Sequence, residues 1–208
     1  MSASGYTIYM IEDDASVRDA LGLLLSLKGY PVAMFTDAPT FLAAYRNSWK
    51  GCLLIDIRMP EMDGLTLQKT LLESGCSMPV IIMTGHGSVE SAREAFRSRA
   101  VDFLEKPIDH GRLIHAIDEA FNRQTTALDR QNQRSAFDQA LSALTPRERE
   151  VMERVVTGRH NREIAEELGI SVRTVEVHKA RMMTKLGVDT VPDLVRLSLV
   201  SGPLNSSK

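Results

Sequence analysis

The sequence predicts two units of different class: an α/β unit built on a five-stranded parallel sheet, followed by a small all-α unit. Three observations carry this. Over the first 120 or so residues, five short apolar runs alternate with five stretches of helical period, the pattern of a parallel sheet covered on both faces. Residues 122–142 then lose most large apolar side chains. From Thr145 onward only helical signals recur, the first three each preceded by a capping residue.

The apolar runs are 6–11 (YTIYMI), 32–35 (VAMF), 52–55 (CLLI), 79–83 (PVIIM) and 101–104 (VDFL). They are short and rich in branched or aromatic residues, which favours strands. The first helix is expected over 16–28, where Val17, Leu21, Leu24, Leu25 and Lys28 mark the period and Gly29 stands where a C-cap belongs. Segments of similar kind fit helices at 37–47, 64–74, 88–98 and 109–122. The stretch 122–142, "NRQTTALDRQNQRSAFDQALS", is rich in Gln, Arg and Asn and reads as a linker, free to be helical because Gly and Pro are absent.

In the second unit, "TPRE" sets Thr145 at an N-cap, Pro146 at N1 and Glu148 at N3, a capping box with the favoured proline. That helix carries Val151, Met152 and Val155 and ends near Gly158. Asn161 is the expected cap of "REIAEEL", which stops at Gly169. Ser171 caps "VRTVEVHKARMMTKL", which stops at Gly187, and a fourth helix over 191–200 carries Leu194, Val195, Leu197, Leu199 and Val200. The expected division is 1–122, a linker over 123–142, and 143–208.

Composition excludes several classes. With 43% hydrophobic and 25% charged residues, the 208-residue chain has the make-up of an ordinary globular protein of one or two domains. Charge is uneven: residues 1–125 carry 12 basic and 16 acidic residues, and 126–208 carry 13 and 11, so the two ends are suited to different work. Cys52 and Cys76 are too few for a disulfide scaffold and lack metal-ligand spacing. The start, "MSASGYTIYM", lacks a basic, apolar leader, and no apolar stretch reaches the ~18 residues of a membrane span. A cytoplasmic protein is expected.

The ends of the predicted strands hold the chemistry. In parallel α/β sheets ligands bind beyond the C-terminal ends of strands. Strand 1 ends at "EDD", residues 12–14. Strand 3 ends at Asp56, strand 4 at Thr84 and Gly85, and strand 5 at Glu105, Lys106 and Pro107. With strand order 2-1-3-4-5, strands 1 and 3 are neighbours and two or three carboxylates converge. Such a cluster needs a cation, and hard oxygen ligands with open water positions suit Mg²⁺. Lys106 supplies a point charge and Thr84 a hydroxyl for a phosphoryl group, and Asp56 is then a carboxylate nucleophile. Taken singly, Glu12–Asp14 could be acids favoured at a helix start, Lys106 an ordinary surface charge and Thr84 a turn residue. The specificity lies in the set.

The segments "IEDD", "LLIDIRMPEMDG", "IIMTGHG" and "DFLEKP" make residues 1 to about 122 resemble a two-component receiver domain. The resemblance implies a flavodoxin-like fold and phosphorylation of Asp56 by a sensor histidine kinase. It implies Mg²⁺ held by Glu12 or Asp13, by Asp56 and by the backbone carbonyl of Arg58. Thr84 would be the switch hydroxyl, Lys106 would contact the phosphoryl oxygens, and the Lys106–Pro107 bond would be cis. Three positions depart from the commonest pattern. Glu12 stands where the first of two Asp is frequent, so the shorter Asp13 is the expected direct ligand. Phe103 takes the switch-aromatic position where Tyr is common. Arg99 stands where a Gly often closes the helix.

The helix over 172–186 has one face, Val175, Met182 and Leu186, suited to a core. The other offers Arg173, Lys179, Arg181 and Lys185 around Val177, which suits a major groove: cations meet phosphates, and small or apolar groups meet base edges. A solvated basic face is the plainer alternative. Met182 and Met183 read as core, and His178 has no partner spaced for a metal. "LTPREREVMERVVTGRHNREIAEELGISVRTVEVHKARMMTKLGV" is similar to a LuxR-type helix-turn-helix, and the whole chain resembles NarL/FixJ-family transcriptional response regulators, the FixJ-like branch above all. The resemblance makes 172–186 the recognition helix, with Glu176, Val177 and Ala180 on the base-reading face and Arg173, Thr174, Lys179 and Arg181 as phosphate or base contacts. It implies a homodimer formed on phosphorylation, an inverted-repeat promoter site in double-stranded DNA and RNA polymerase as a further partner. No enzymatic activity beyond phosphotransfer to, and loss from, Asp56 is expected. Two rivals are a constitutive DNA binder whose receiver only dimerises, and an aspartyl-phosphate phosphatase. The latter needs an acid two residues after its nucleophile, where this chain has Arg58.

Overall fold

Runs that are apolar at every position become strands buried on both faces. The computed structural model describes residues 5–85 and 87–201. The first four residues, His86 of the strand-4 motif, and residues 202–208 with the "NSSK" tail lie outside the described residues, as do the side chains of Val200 and Ser201. The described chain divides into two units, one ending at Ala127 and the other beginning at Leu128.

In the first unit, β1 (Thr7–Ile11), β2 (Val32–Phe35), β3 (Gly51–Asp56), β4 (Val80–Thr84) and β5 (Asp102–Glu105) form one parallel sheet of order β2-β1-β3-β4-β5, the flavodoxin-like order. The pairing sets Ile11 against Ile55, Asp56 against Met83, and Thr84 against Glu105. Alternate residues then feed two cores. Ile8, Met10, Leu54, Ile81 and Met83 face one layer with Leu25, Leu113 and Ile117. Ile11, Leu53, Ile55 and Ile82 face the other with Phe41, Leu67 and Leu71. Each such buried aliphatic side chain contributes about 1.5–3 kcal/mol, so the sheet is a stiff base for whatever stands at its edge.

The helices of this unit are α1 (Ala15–Leu27), α2 (Ala38–Ala44), α3 (Gly64–Glu73), α4 (Val89–Arg97) and the first part of α5 (His110–Ser142), which belongs to the second unit from Leu128 on. Asp14, Asp37, Asp63 and Ser88 cap the first four. Helix α2 is shorter than its apolar pattern, because Tyr45 leaves helical geometry at φ −53° and ψ 141°. Helix α5 runs without a break through residues 123–142. The Lys106–Pro107 peptide is cis.

Arg99 adopts φ 66° and closes α4 with its N–H on the Phe96 carbonyl, while the Ala100 N–H reaches the Ala95 carbonyl. An arginine thus holds the left-handed turn that a glycine usually supplies. That geometry costs an L-residue roughly 1–2 kcal/mol, more than the ~0.5–1 kcal/mol entropy cost of a glycine. Arg99→Gly is therefore expected to raise stability in urea titration by about 0.5–1 kcal/mol.

The second unit contains α6 (Pro146–Val156), α7 (Asn161–Leu168), α8 (Val172–Leu186) and α9 (Val191–Ser201). They enclose a core that includes the fully buried Val151, Met152, Ile164, Val175, Met182 and Leu194. The Thr145 box forms: Glu148 Oε2 accepts from the Thr145 N–H at 2.8 Å, and Thr145 Oγ1 from the Glu148 N–H at 3.3 Å. The expected cap at Asn161 is corrected by one residue. His160 is the N-cap, because Glu163 then falls at N3 and its carboxylate accepts from the His160 N–H at 2.7 Å.

Lys185 Nζ donates to the buried Glu148 Oε2 at 2.7 Å. This hydrogen bond, with that from the Thr145 backbone, pulls the Glu148 pKa from 4.5 down to about 2. The folded pKa lies below the unfolded one, so the associated stability is present above pH ~4.5 and lost as pH falls toward ~2. Glu148→Gln is expected to cost about 1–2 kcal/mol at pH 7 and to flatten that acid limb, followed through the methyl NMR signals of the Val151 core.

Candidate functional site

Four side chains come together at the C-terminal edge of the sheet because three strands deliver them there: Glu12 and Asp13 follow β1, Asp56 ends β3 and Lys106 follows β5. Asp56 is the last residue of β3 and only 3% exposed. Glu12, just after β1, is fully buried, while Asp13 is exposed. Carboxylate oxygens of Glu12, Asp13 and Asp56 lie within 4.8 Å of one another. Lys106, after β5, donates from Nζ to Glu12 Oε2 at 2.7 Å and pairs with Asp56 Oδ1 at 2.6 Å. Two of the three carboxylates therefore share one ammonium, which offsets the repulsion expected from their clustering.

Burial raises the Glu12 pKa, the hydrogen bond from Lys106 offsets this in part, and the charge of Asp56 adds to the rise. For Lys106, burial works to lower the pKa, but the hydrogen bonds to Asp56 and Glu12 outweigh it and hold the ammonium charged. Asp14, third of the acidic run, serves the backbone: its Oδ1 accepts from Ser16 N at 2.8 Å and Val17 N at 3.2 Å, which lowers its pKa. Arg18 was not anticipated. Its Nη1 donates to the carbonyls of Glu12 at 2.9 Å and Asp13 at 3.2 Å, bracing the acidic loop. A cation in the first turn of a helix, where the dipole disfavours it, was the available signal.

The loop after Asp56 is held tightly. The Ile57 N–H reaches the Met83 carbonyl and the Gly64 N–H the Ile57 carbonyl, both at 2.9 Å. Glu61 sits at φ 64°, and the Arg58 side chain faces solvent. A Cβ on Gly64 would stand 2.2 Å from the Asp56 carbonyl oxygen. Gly64→Ala must push α3 off β3, and we expect about 1–3 kcal/mol of destabilisation in a denaturant titration. Thr84 ends β4 with its side chain 1% exposed, and its carbonyl accepts from the Lys106 N–H at 2.7 Å. Phe103 is partly buried on β5, where a Cβ at Gly87 would touch its ring at 3.2 Å.

A carboxylate set of this kind suits a hard divalent cation: its donors are oxygens from two neighbouring strands, and exposed Asp13 leaves a solvent-facing side.

In the second unit, α7 and α8 are joined by a short turn. Gly169 closes α7 at φ 65°, and Ser171 Oγ caps α8 by accepting from the Thr174 N–H at 3.1 Å. Val175, Met182 and Leu186 bury one face of α8. The opposite face exposes Arg173, Glu176, Val177, Ala180 and Arg181, with Thr174 and Lys179 half-buried. Glu176 forms no ion pair among the described residues. The Thr174 hydroxyl bonds to that of Ser171 at 2.8 Å, and the Lys185 ammonium is held by Glu148 within the unit. Val177, 41% exposed, is an unusual apolar residue to leave on a basic face.

Comparison with known proteins agrees with this division of labour. Residues 8–118 match the response regulator receiver domain, and residues 142–198 match the bacterial regulatory proteins of the luxR family. The transcriptional regulatory protein FixJ of Bradyrhizobium diazoefficiens is 42% identical over 205 residues, covering 99% of this chain and 100% of its own. The tetrathionate response regulatory protein TtrR of Salmonella typhimurium is 39% identical over 190 residues, covering 91% and 90%. The structure of the response regulator StyR, 35% identical, superposes with a TM-score of 0.81 over 94% of this chain and 99% of that one. Full-length FixJ from B. japonicum, 40% identical, gives 0.60 over 99% and 100%. With a receiver ahead of a LuxR-type helix-turn-helix, and relatives of the same make-up over their full length, the chain belongs to the two-component transcriptional response regulators of the FixJ-like kind.

Proposed function

We propose that this protein couples phosphorylation of Asp56 to DNA binding by α8. The observation that carries the reading is the convergence of Glu12, Asp13 and Asp56 within 4.8 Å, with Lys106 bonded to two of them. The phosphoryl donor is a sensor histidine kinase. Asp56 Oδ forms a bond to phosphorus as the phosphorus–nitrogen bond of the kinase's phosphohistidine breaks. Lys106 stays within reach of the transferred oxygens, and the Thr84 hydroxyl turns to them from the end of β4. Glu12 or Asp13, Asp56 and the Arg58 carbonyl would hold Mg²⁺. When bound, that ion supplies positive charge against the phosphoryl oxygens. Phe103 repacks as Thr84 moves, which changes the surface of α4 and β5. Two receivers then associate, and two copies of α8 meet an inverted-repeat site in the cytoplasm, where RNA polymerase is a further partner.

On this reading residues 1–122 form the phosphoacceptor domain, 123–142 a helical linker and 143–208 the DNA-binding domain. Arg173, Thr174, Lys179 and Arg181 contact phosphates or bases, and Glu176, Val177 and Ala180 face base edges. Lys185 is the weakest of the proposed contacts, since Glu148 already engages it. The chain is no enzyme beyond phosphotransfer to, and hydrolysis from, Asp56. Incubation with a small acyl phosphate tests this: mass spectrometry should find one added phosphoryl group on Asp56, lost when a chelator is present. Uptake that proceeds unchanged in chelator contradicts the metal-assisted step.

A further inference from the structure

The Asp56 site leaves unused a cleft of about 280 Å³ in the first unit, with walls from α3, the turn that closes α4, α5 and the chain entering β4. It lies beside Pro79 and Val80, at the start of β4, whereas Asp56 lies at the opposite end of the strands. Leu71, Leu72, Met78, Val80 and Val101 give it an apolar wall. Among these Gln68 stands apart. It is 1% exposed, its Nε2 donates to the carbonyls of Ala95 at 3.1 Å and Ser98 at 2.9 Å, and its Oε1 has no hydrogen-bond partner among the described residues. The two carbonyls accept only, so the amide cannot be turned over and Oε1 must be the end left over. Leaving a buried acceptor unmet costs about 1–3 kcal/mol. At the rim stand two cations: Arg99, exposed and in no ion pair among the described residues, and Arg123, paired with Glu119.

We propose that this cleft is a binding site for a small apolar carboxylate that carries one hydrogen-bond donor. Three features select that chemistry. The apolar wall takes a hydrocarbon or aromatic body, the arginines take the carboxylate, and Gln68 Oε1, itself closed to solvent, takes the donor of a ligand that parts the side chains over it. The volume holds about nine water-sized groups, so the ligand has on the order of ten heavy atoms. Such a ligand contacts the carboxyl end of α4 and so meets the receiver without touching Asp56.

A methyl NMR titration of the full chain with 4-hydroxyphenylacetate tests the site, with phenylacetate as the probe lacking the donor and 4-ethylphenol as the probe lacking the carboxylate. The expected result is saturable shifts of the Leu72, Met78, Val80 and Val101 methyls. Both control probes should bind roughly tenfold more weakly, one lost hydrogen bond or ion pair being worth about that factor. Arg99→Ala should weaken the full probe but not 4-ethylphenol. Ala127→Trp, at an exposed position of the rim, should weaken all three. Both variants alter exposed side chains, and their unchanged methyl spectra without probe would show that the fold persists. The proposal is overturned if no methyl shift saturates, if the three probes bind alike and both variants bind as the parent does (an adventitious additive only), or if the shifts centre on another part of the receiver.

Discussion

An Asp56→Ala protein is expected to take up no phosphoryl group from a small acyl phosphate, and to bind promoter DNA equally well with and without that donor. Asp56 ends a strand whose six residues are all buried, so the carboxylate is held rigidly by its own strand. The substitution removes the nucleophile and one of the two acceptors of Lys106, leaving the ammonium to Glu12 alone. The apolar cores on both sides of β3 are untouched, so circular dichroism and melting should report a folded protein. The allosteric gain that phosphorylation normally gives, on the order of 5- to 150-fold for coupled sites, should fall to none. An Asp56→Ala variant that still gains affinity with the donor would remove Asp56 from the mechanism.

Replacing Arg173, Lys179 and Arg181 together by Ala should produce the second large effect. Each phosphate contact contributes about 0.9 to the slope of log affinity against log salt on duplex DNA. Three lost contacts on each of the two helices, six in all, reduce binding by roughly 10⁴ at physiological salt and flatten the slope by about 5.4. The fold should survive, because the buried face of α8 is Val175, Met182 and Leu186. Fluorescence anisotropy over a salt series measures both quantities. Unchanged slope would move the phosphate contacts to another surface. A Lys185→Ala variant separates the roles further: it should lose stability through Glu148 more than it loses DNA affinity.

Much of this was legible in the sequence, and the reasons differ by element. Strands were readable because burial in the sheet leaves short runs that are mostly apolar, wholly so over Cys52–Ile55 of the central β3, and all five fall within a residue or so of where the composition put them. The five carboxylate, hydroxyl and ammonium positions were readable because parallel topology delivers strand ends to one edge. Boundaries set by single hydrogen bonds were less so. Asn161 is the residue type that favours a cap, and only the bond from the His160 N–H to Glu163 moves the cap to His160. The continuity of α5 through 123–142 was left open by a stretch with neither breakers nor a strong apolar stripe. Contacts between residues remote in sequence were out of reach: Lys185 with Glu148, and Gln124 Oε1 accepting from the Gly51 N–H at 2.6 Å. No local period marks such pairs. Arg99 shows the opposite case, a residue that looked wrong for its turn and keeps the turn nonetheless at φ 66°.

The most direct test of the central claim is the affinity of the full chain for an inverted-repeat promoter fragment, with and without beryllofluoride and Mg²⁺, a phosphoryl mimic that needs no kinase. The account predicts an increase within the 5- to 150-fold range typical of coupled sites for the parent and none for Asp56→Ala. Equal affinity of the parent in both conditions would contradict it, and would leave a DNA-binding protein whose receiver does not signal.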